Sequence, residues 1–208
     1  MTFNSRQKCS QIAKSKCPKK TSYLVLPSDE GGRIVTSSYE PLLCADPISF
    51  TPEDAKGIQH PHSDPLVIEV AMGEFDVERV LVDTGSTVNV LFWQTLEKMG
   101  VTPEQVKPEI RTLTGYNGIA KMSMGDVKQQ VRACGVTRKT KFVVIDAPPI
   151  YNTIQGALWI YAMQAVASTY RLYFKFLTTT GICTLYSDQR MARSCSVIEK
   201  KQRKTEDA

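Results

Sequence analysis

The chain lacks the features of a membrane-spanning or secreted protein. No apolar run approaches the roughly 18 to 20 residues that cross a bilayer. The first 20 residues carry six basic side chains, no acidic side chain and no apolar core of the kind found in signal peptides. We therefore expect an intracellular, cytoplasmic protein that makes no contact with a membrane.

Motifs that bind metal ions are also missing. The six cysteines are scattered without a Cys-x-x-Cys pair, and the two histidines, His60 and His62, lie far from any pair of cysteines. Zinc sites need such ligands at close spacing. We expect no metal and no cofactor. A disulfide framework is not expected either, because the chain has no secretory signal.

The 208 residues suggest one or two domains, and the composition is ordinary for a globular protein. Residues 1–60 are rich in turn residues and basic at their start, and we interpret them as an irregular arm or linker. Residues 61–186 contain the alternation of apolar and polar residues that is typical of strands. Residues 187–208 are charged, and we expect a frayed tail.

One motif carries most of the functional information. The apolar residues Val80 to Val82 predict a strand, and Asp83, Thr84, Gly85 and Ser86 follow it directly. Gly85 permits a tight turn, and the hydroxyls of Thr84 and Ser86 are candidates to orient the Asp83 carboxylate. Asp-Thr-Gly also occurs in ordinary turns, so the triplet alone does not establish a catalytic site.

Hydrolysis by carboxylates needs two of them, one as general base and one as general acid. The chain contains no second Asp-Thr-Gly and no Asp-Ser-Gly. If Asp83 is catalytic, its partner must be Asp83 of a second copy. A two-fold axis would then pass between the two residues, and the protein would be a homodimer.

A second informative segment lies between residues 110 and 131. Gly115, Tyr116, Asn117 and Gly118 separate two extended stretches, and Asn-Gly is a strong hairpin signal. Such a hairpin is suited to close over a bound peptide as a flap. An ordinary surface hairpin explains the segment equally well.

The remaining pattern predicts a mixture dominated by strands. We expect strands over residues 66–72, 141–145 and 170–176, and helices over residues 92–99 and 157–165.

In their order along the chain, several segments together resemble the protease domain of a plant gypsy-type LTR-retrotransposon polyprotein, a retropepsin-like aspartic protease. The resemblance covers residues 48 to 197. Its matching pieces are residues 48–50, 53–57, 60–68, 80–87, 151–154 with Gly156, 165–170, and 188–195 in part.

This resemblance implies an all-β fold, a small closed barrel with one short C-terminal helix, assembled as a two-fold dimer with irregular terminal arms. It implies that Asp83 is the catalytic carboxylate and that Thr84 braces the two active-site loops against each other across the axis. Gly85 would let the backbone approach a polypeptide substrate. Tyr116 and Gly118 would lie in the flap, and Ile154 and Gly156 would pack beneath the active-site loop.

Two departures from the family pattern fall beside that loop. Gln155 stands where relatives have an apolar residue, and Ala157 stands where they commonly have arginine. A buried amide without partners costs on the order of 1 to 3 kcal/mol. Two hypotheses follow: an aspartic endopeptidase that processes a polyprotein, or a decayed or repurposed module that keeps the fold for dimerisation or peptide binding.

The basic residues 1–20 suggest a third activity, weak and non-specific contact with nucleic acid. No nucleic-acid recognition motif accompanies them, and a solvated lysine run is the more common explanation.

Overall fold

The computed structural model describes residues 47–115, 118 and 120–206. Its strands are β1 (Val67–Met72), β2 (Phe75–Val82), β3 (Val90–Phe92), β4 (Thr112–Thr114), β5 (Ala120–Met122), β6 (Gly125–Ala133), β7 (Val136–Ile145), β8 (Thr153–Gln155), β9 (Val166–Ser168), β10 (Tyr173–Thr178) and β11 (Gly181–Tyr186). Its α-helices are α1 (Trp93–Lys98), α2 (Ala157–Ala162) and α3 (Gln189–Glu206). Within these residues, none of the helices is both long and apolar enough to cross a membrane.

Six strands close into a barrel in the order β1-β2-β8-β3-β7-β6. Strand β8 lies between β2 and β3, parallel to the first and antiparallel to the second. The chain therefore leaves β2, passes over the end of β8 and returns as β3. This topology confirms the expectation of a mostly β protein built on a small closed barrel.

The barrel strands form because their apolar residues alternate with polar ones. In β6, Val127, Val131 and Ala133 are buried, whereas Lys128 and Arg132 between them are exposed. Alternate residues of a strand point to opposite faces, so this pattern buries one face only. The core inside the barrel includes Leu66, Ile68, Val70, Met72, Val80, Leu91, Phe142 and Val144.

The predicted hairpin is present as β4 and β5, which pair antiparallel from Thr112 with Met122 to Thr114 with Ala120. The backbone N–H of Gly118 donates to the carbonyl of Gly115 at 3.0 Å, within the turn. Tyr116 and Asn117 lie outside the described residues.

A second sheet, β11-β10-β9, follows the barrel. The ring of Trp159 on α2 stacks on Phe174 of β10 with centroids 5.1 Å apart, which joins the barrel region to this sheet. The second sheet was only partly predicted: the sequence indicated a strand over residues 170–176 but not β11.

The expectation of a frayed tail was wrong, because residues 189–206 form helix α3. The Asp188 carboxylate accepts hydrogen bonds from the backbone N–H groups of Arg190 and Met191 at 2.8 and 3.1 Å, which satisfies free donors at the helix start. Ala192 and Cys195 are buried on one face. The described chain therefore has three α-helices rather than one.

The segment before β1 packs on the second sheet. Residues Pro52–Ala55 form a short 3-10 helix, and Asp54 at its end makes an ion pair with Lys175 of β10 at 3.0 Å. The ring of Phe50 stacks on Tyr173 at 5.6 Å. Residues 47–60 are therefore not wholly an arm, whereas residues 1–46 lie outside the described part of the chain.

The structure also corrects the expectation about disulfides. It joins Cys134, in the turn between β6 and β7, to Cys183 of β11. This bond connects the barrel to the second sheet. Cys195 is free and buried, and burial raises the pKa of its thiol.

Candidate active site

Asp83 stands at the end of a buried strand. Val80 and Val82 of β2 fill the core, and the backbone N–H of Asp83 donates to the carbonyl of Gln155 on β8 at 2.9 Å. This bond fixes the first residue of the loop to the neighbouring strand. The carboxylate itself is half-buried, so it is held by the barrel and still reaches solvent.

The turn after Asp83 orients the carboxylate through the backbone. The N–H of Gly85 donates to Oδ1 of Asp83 at 2.9 Å, and the N–H of Ser86 donates to the Asp83 carbonyl at 3.3 Å. The hydroxyl of Ser86 donates instead to the carbonyl of Val88 at 2.8 Å. The expectation that Ser86 orients the carboxylate is therefore corrected, and Thr84 has an exposed side chain.

Gly156 supports the loop from below, at a position where no side chain fits. A Cβ atom there would lie 2.7 Å from the carbonyl oxygen of Ser86 and closer still to that of Val88. The N–H of Ala157 donates to the Ser86 carbonyl at 2.8 Å. The structure thus brings residues 154–156 next to the Asp83 loop, as predicted from the resemblance. Ile154 pairs with Leu81 of β2, and Gly156 lies against the loop.

Asn89 is a supporting residue that sequence reasoning missed. It is 4% exposed and makes three hydrogen bonds. Its side-chain Oδ1 accepts from the N–H of Gly156 at 2.9 Å, and its Nδ2 donates to the carbonyl of Lys141 at 3.1 Å. Its backbone carbonyl accepts from the N–H of Val143. The sequence signal that could have identified Asn89 is that it is the one polar residue in the otherwise apolar residues 88–93.

Gln155 is fully buried, and neither polar atom of its side chain has a hydrogen-bond partner among the described residues. Its backbone carbonyl holds Asp83, so the unpaired amide belongs to the same residue that fixes the catalytic candidate. Unpaired buried polar groups destabilise the fold.

Helix α2 begins directly after Gly156 and exposes apolar side chains beside the loop. Leu158 and Tyr161 are 62% and 84% exposed, whereas Trp159 is buried. The exposed face therefore carries large apolar groups close to the Asp83 loop, and such groups often mark contact surfaces.

The base of the β4–β5 hairpin is fixed by charges. Arg111 and Lys141 both bond to the buried carboxylate of Asp126, the lysine at 2.6 Å. Lys141 also bonds to Glu109 at 3.1 Å. Hydrogen bonds of the Glu109 carboxyl with Lys141, Asp126 and Arg111 lower its pKa to about 2. These bonds hold the two ends of the hairpin at β6 and β7.

Among the described residues, no group of three or more His, Cys, Asp or Glu side chains is placed to hold a metal ion.

Comparison with known proteins agrees with this geometry. Residues 68–158 match the family described as aspartyl protease, a span that contains Asp83, the β4–β5 hairpin and Gly156. No curated protein matches the sequence significantly.

Solved structures that are similar to the chain include the following three. The retroviral protease-like domain of Ddi1 from Leishmania major is 17% identical, with 58% of this chain and 93% of that one covered and a TM-score of 0.43. The EIAV protease in complex with the inhibitor HBY-793 is 17% identical, with 53% and 99% covered and a TM-score of 0.40. A retropepsin-like aspartic protease from Rickettsia conorii is 16% identical, with 58% and 81% covered and a TM-score of 0.41.

Residues 68–158 thus match an aspartyl protease family model, and within that span the closed barrel places Asp83 at the end of β2.

Proposed function

We propose that the protein is an aspartic endopeptidase that acts as a homodimer. The observation that carries the proposal is the way β8 and the residue after it support a single Asp-Thr-Gly loop. The carbonyl of Gln155 accepts a hydrogen bond from the N–H of Asp83, and Gly156 lies so close to the loop backbone that no side chain would fit there. One such loop supplies one carboxylate. The second would come from Asp83 of another copy, which requires a two-fold axis between the loops.

The two carboxylates would share one proton, because like charges about 3 Å apart do not both ionise. Aspartic proteases as a class are the known example of this shared proton. The ionised carboxylate would take a proton from a bound water, and the protonated one would donate to the carbonyl oxygen of the scissile peptide bond. The water oxygen would attack the carbonyl carbon as these protons move, which gives a tetrahedral intermediate. Its C–N bond would then break, and the carboxyl that took the proton from water would give it to the leaving amine.

The other predicted site residues take supporting roles in this proposal. Thr84 would brace the two loops across the axis, and its exposed side chain is available to do so. The hairpin with Gly115, Tyr116, Asn117 and Gly118 would cover the bound polypeptide. The exposed face of α2, with Leu158 and Tyr161, would be covered by the second copy.

A retrotransposon origin and a role in polyprotein processing complete the proposal. They rest on the resemblance of residues 48 to 197 to plant gypsy-type polyproteins. The proposed protease domain runs from residue 61 to 186. The arm or linker expected over residues 1–60 stays a prediction for residues 1–46 only, which lie outside the described part of the chain. In the C-terminal segment 187–208, residues 189–206 form α3, which contacts β1 and β2. Weak contact of residues 1–20 with nucleic acid stays a prediction, since these residues lie outside the described part of the chain.

A second candidate function is a catalytically decayed module that keeps the fold for dimerisation or peptide binding. The buried, unpaired amide of Gln155 favours it, because a less stable support would loosen the loop that holds Asp83. The two candidates make opposite predictions about peptide cleavage.

The deciding experiment measures cleavage of a peptide library from about pH 3 to 7. Protein concentration is varied over about a hundredfold range, since a dimer makes activity rise faster than linearly at low concentration. Asp83→Asn should abolish cleavage. Asp76→Asn, an exposed aspartate at the other end of the same strand, is the matched control and should retain it.

Absence of cleavage by folded protein from about pH 3 to 7, at every concentration, would reject the endopeptidase and favour the decayed module. Cleavage that survives in Asp83→Asn would reject the assignment of the catalytic residue.

A further inference from the structure

The outer face of the β6–β7 hairpin carries a line of basic side chains. The strand register places Lys128 opposite Lys141, Gln130 opposite Lys139 and Arg132 opposite Thr137. All six side chains are on one face, because directly paired residues of antiparallel strands share a face. We call Lys128, Arg132, Lys139 and Lys141 the basic stripe.

Most of this charge has no acidic partner within the part of the chain that the structure describes. Lys141 bonds to Asp126 and Glu109, but among the described residues no acidic group forms a salt bridge with Lys128, Arg132 or Lys139. An anionic partner along the stripe would therefore meet three basic side chains that form no salt bridge with a described acidic residue.

A cavity of about 420 Å³ opens at one end of the stripe. Its wall includes Lys107, Lys128 and Lys141. The acidic groups in the same wall, Glu109 and Asp126, are already bonded to Lys141 and Arg111. Lys107 therefore adds one positive charge at this end of the stripe. The stripe and the cavity wall together carry more basic than acidic side chains.

The stripe has no apolar anchor. None of the large hydrophobic side chains that are exposed among the described residues belongs to β6 or β7. Stable protein–protein interfaces are usually anchored by buried aromatic or other large side chains at their centre. A partner that binds here would therefore be held by charge rather than by apolar contact.

The neighbouring strands restrict the shape of that partner. Arg132 pairs with Ala71 of β1, and Ala71 pairs with Asp76 of β2, so basic and acidic groups share one face of the barrel. Glu69, on that face, has a pKa raised by burial and by the charges of Asp76 and Glu78. A flat anionic membrane would meet these acids as well as the stripe, whereas a narrow chain can follow the stripe alone.

We propose that the basic stripe binds the phosphodiester backbone of a nucleic-acid strand. Lys128 and Arg132 lie four residues apart on β6, a distance of about 13 Å along an extended strand. That length faces several phosphates of one nucleic-acid strand. The stripe carries no aromatic side chain on which bases would stack, so its contacts are with phosphates, which carry no sequence information. This surface is distinct from the basic residues 1–20 and does not depend on the proposed protease.

The test measures binding of the full chain to labelled single-stranded RNA and DNA of equal length and sequence, across a range of salt concentrations. The variant with Lys128→Gln, Arg132→Gln and Lys139→Gln should bind less tightly. Its plot of log affinity against log salt should flatten by about 2, since each lost phosphate contact removes about 0.7 from the slope for single strands. The swap Lys128→Arg, Arg132→Lys and Lys139→Arg should keep the original slope.

A matched control removes three exposed lysines elsewhere: Lys56→Gln, Lys98→Gln and Lys200→Gln. It lowers the net charge equally and should leave the slope unchanged. Equal slopes for the stripe variant and this control would overturn the proposal. So would binding that is lost on deleting residues 1–20 and is unaffected by the stripe variant. Unchanged thermal unfolding of the variants shows that they fold, and the RNA and DNA arms tell which strand is preferred.

Discussion

The side-chain oxygen of Asn89 accepts a hydrogen bond from the backbone N–H of Gly156 at 2.9 Å, and both residues are buried. The bond joins the end of the Asp83 loop to the residue that follows β8. Gly156 also lies against the backbone carbonyls of Ser86 and Val88, so the loop backbone and the backbone of residue 156 are in close contact. The position of Asp83 therefore depends on a residue without a side chain.

Replacing Gly156 by alanine should displace this loop. The new Cβ atom would overlap the carbonyl oxygens of Ser86 and Val88, which are backbone atoms with little freedom to move. We expect the free energy of unfolding to fall by about 1 to 3 kcal/mol or more, as for other substitutions that overpack a buried site. Urea unfolding monitored by circular dichroism measures the change.

Gly73→Ala is the control for this substitution. Gly73 has open space around the position of a Cβ atom but a positive φ of 61°. It should cost only the penalty of a left-handed residue, about 1 kcal/mol. If Gly156→Ala is no less stable than Gly73→Ala, the close approach of β8 to the loop is not what holds the loop in place.

Gln155→Met should stabilise the protein. The substitution removes two buried polar atoms that have no partner among the described residues, and methionine keeps a similar length and adapts its shape. We expect the free energy of unfolding to rise by about 1 to 3 kcal/mol, the cost of leaving such groups unpaired. Thermal and urea unfolding both report it.

Gln94→Met, on the exposed side of α1, provides the comparison and should change stability by less than about 0.5 kcal/mol. A loss of stability in Gln155→Met would show that the amide makes a hydrogen bond that the structure does not contain. A gain in stability together with a gain in peptide cleavage would connect the unpaired amide to the looseness of the Asp83 loop.

Local patterns predicted the parts of the fold that local chemistry determines. The apolar run before Asp83 is a strand, Asn-Gly lies between two short paired strands, and residues 157–162 are helical. Sequence signals that act over a few residues, an apolar run, turn residues and helix-forming residues, decide these three elements. A closed barrel also followed from the resemblance to a known family.

Features that depend on distant residues were missed. The tail was expected to fray because residues 187–208 are charged, but Ala192 and Cys195 supply a buried face once β1 and β2 are in place against α3. The three hydrogen bonds of Asn89 join β7 and β8, which are far from it in sequence. The pairing of Cys134 with Cys183 spans 49 residues. No spacing rule identifies such partners.

Asp54→Asn should release the segment before β1 at neutral pH. Burial raises the pKa of this carboxyl, but hydrogen bonds from the backbone of Thr51 and from Lys175 outweigh it and hold the pKa at about 2. A carboxyl whose pKa is lowered in the folded state stabilises the fold above its ordinary pKa of 3.8 and loses that contribution as the pH falls towards 2.

The variant should therefore be less stable than the parent by about 1 to 2 kcal/mol at pH 7, an amount reduced for partial exposure to solvent. The difference should disappear as the pH falls from about 4 to 2. Glu53→Gln, an exposed neighbour in the same 3-10 helix, is the control and should change the free energy of unfolding at pH 7 by less than about 0.5 kcal/mol. A constant difference between the parent and Asp54→Asn at all pH values would contradict the role of the ionised carboxyl.

Tyr161→Glu should weaken the proposed dimer. Tyr161 is 84% exposed on α2, which begins at the residue after Gly156, so a second copy that brings its own Asp83 to the site is expected to cover this face. A charge buried there without a partner disfavours association. We expect the protein concentration that gives half-maximal specific activity to rise at least about tenfold, equivalent to about 1.4 kcal/mol of association free energy.

Val197→Glu on α3 also places a charge on an exposed apolar side chain, at 52% exposure, and serves as the control. It should leave the concentration dependence of cleavage unchanged. Analytical ultracentrifugation of both variants separates weaker association from altered chemistry, because Tyr161→Glu should shift the sedimentation profile towards the monomer and regain activity at high concentration. If both variants remain dimeric and equally active, the α2 face lies outside the interface, and the two Asp83 loops must be brought together by another surface.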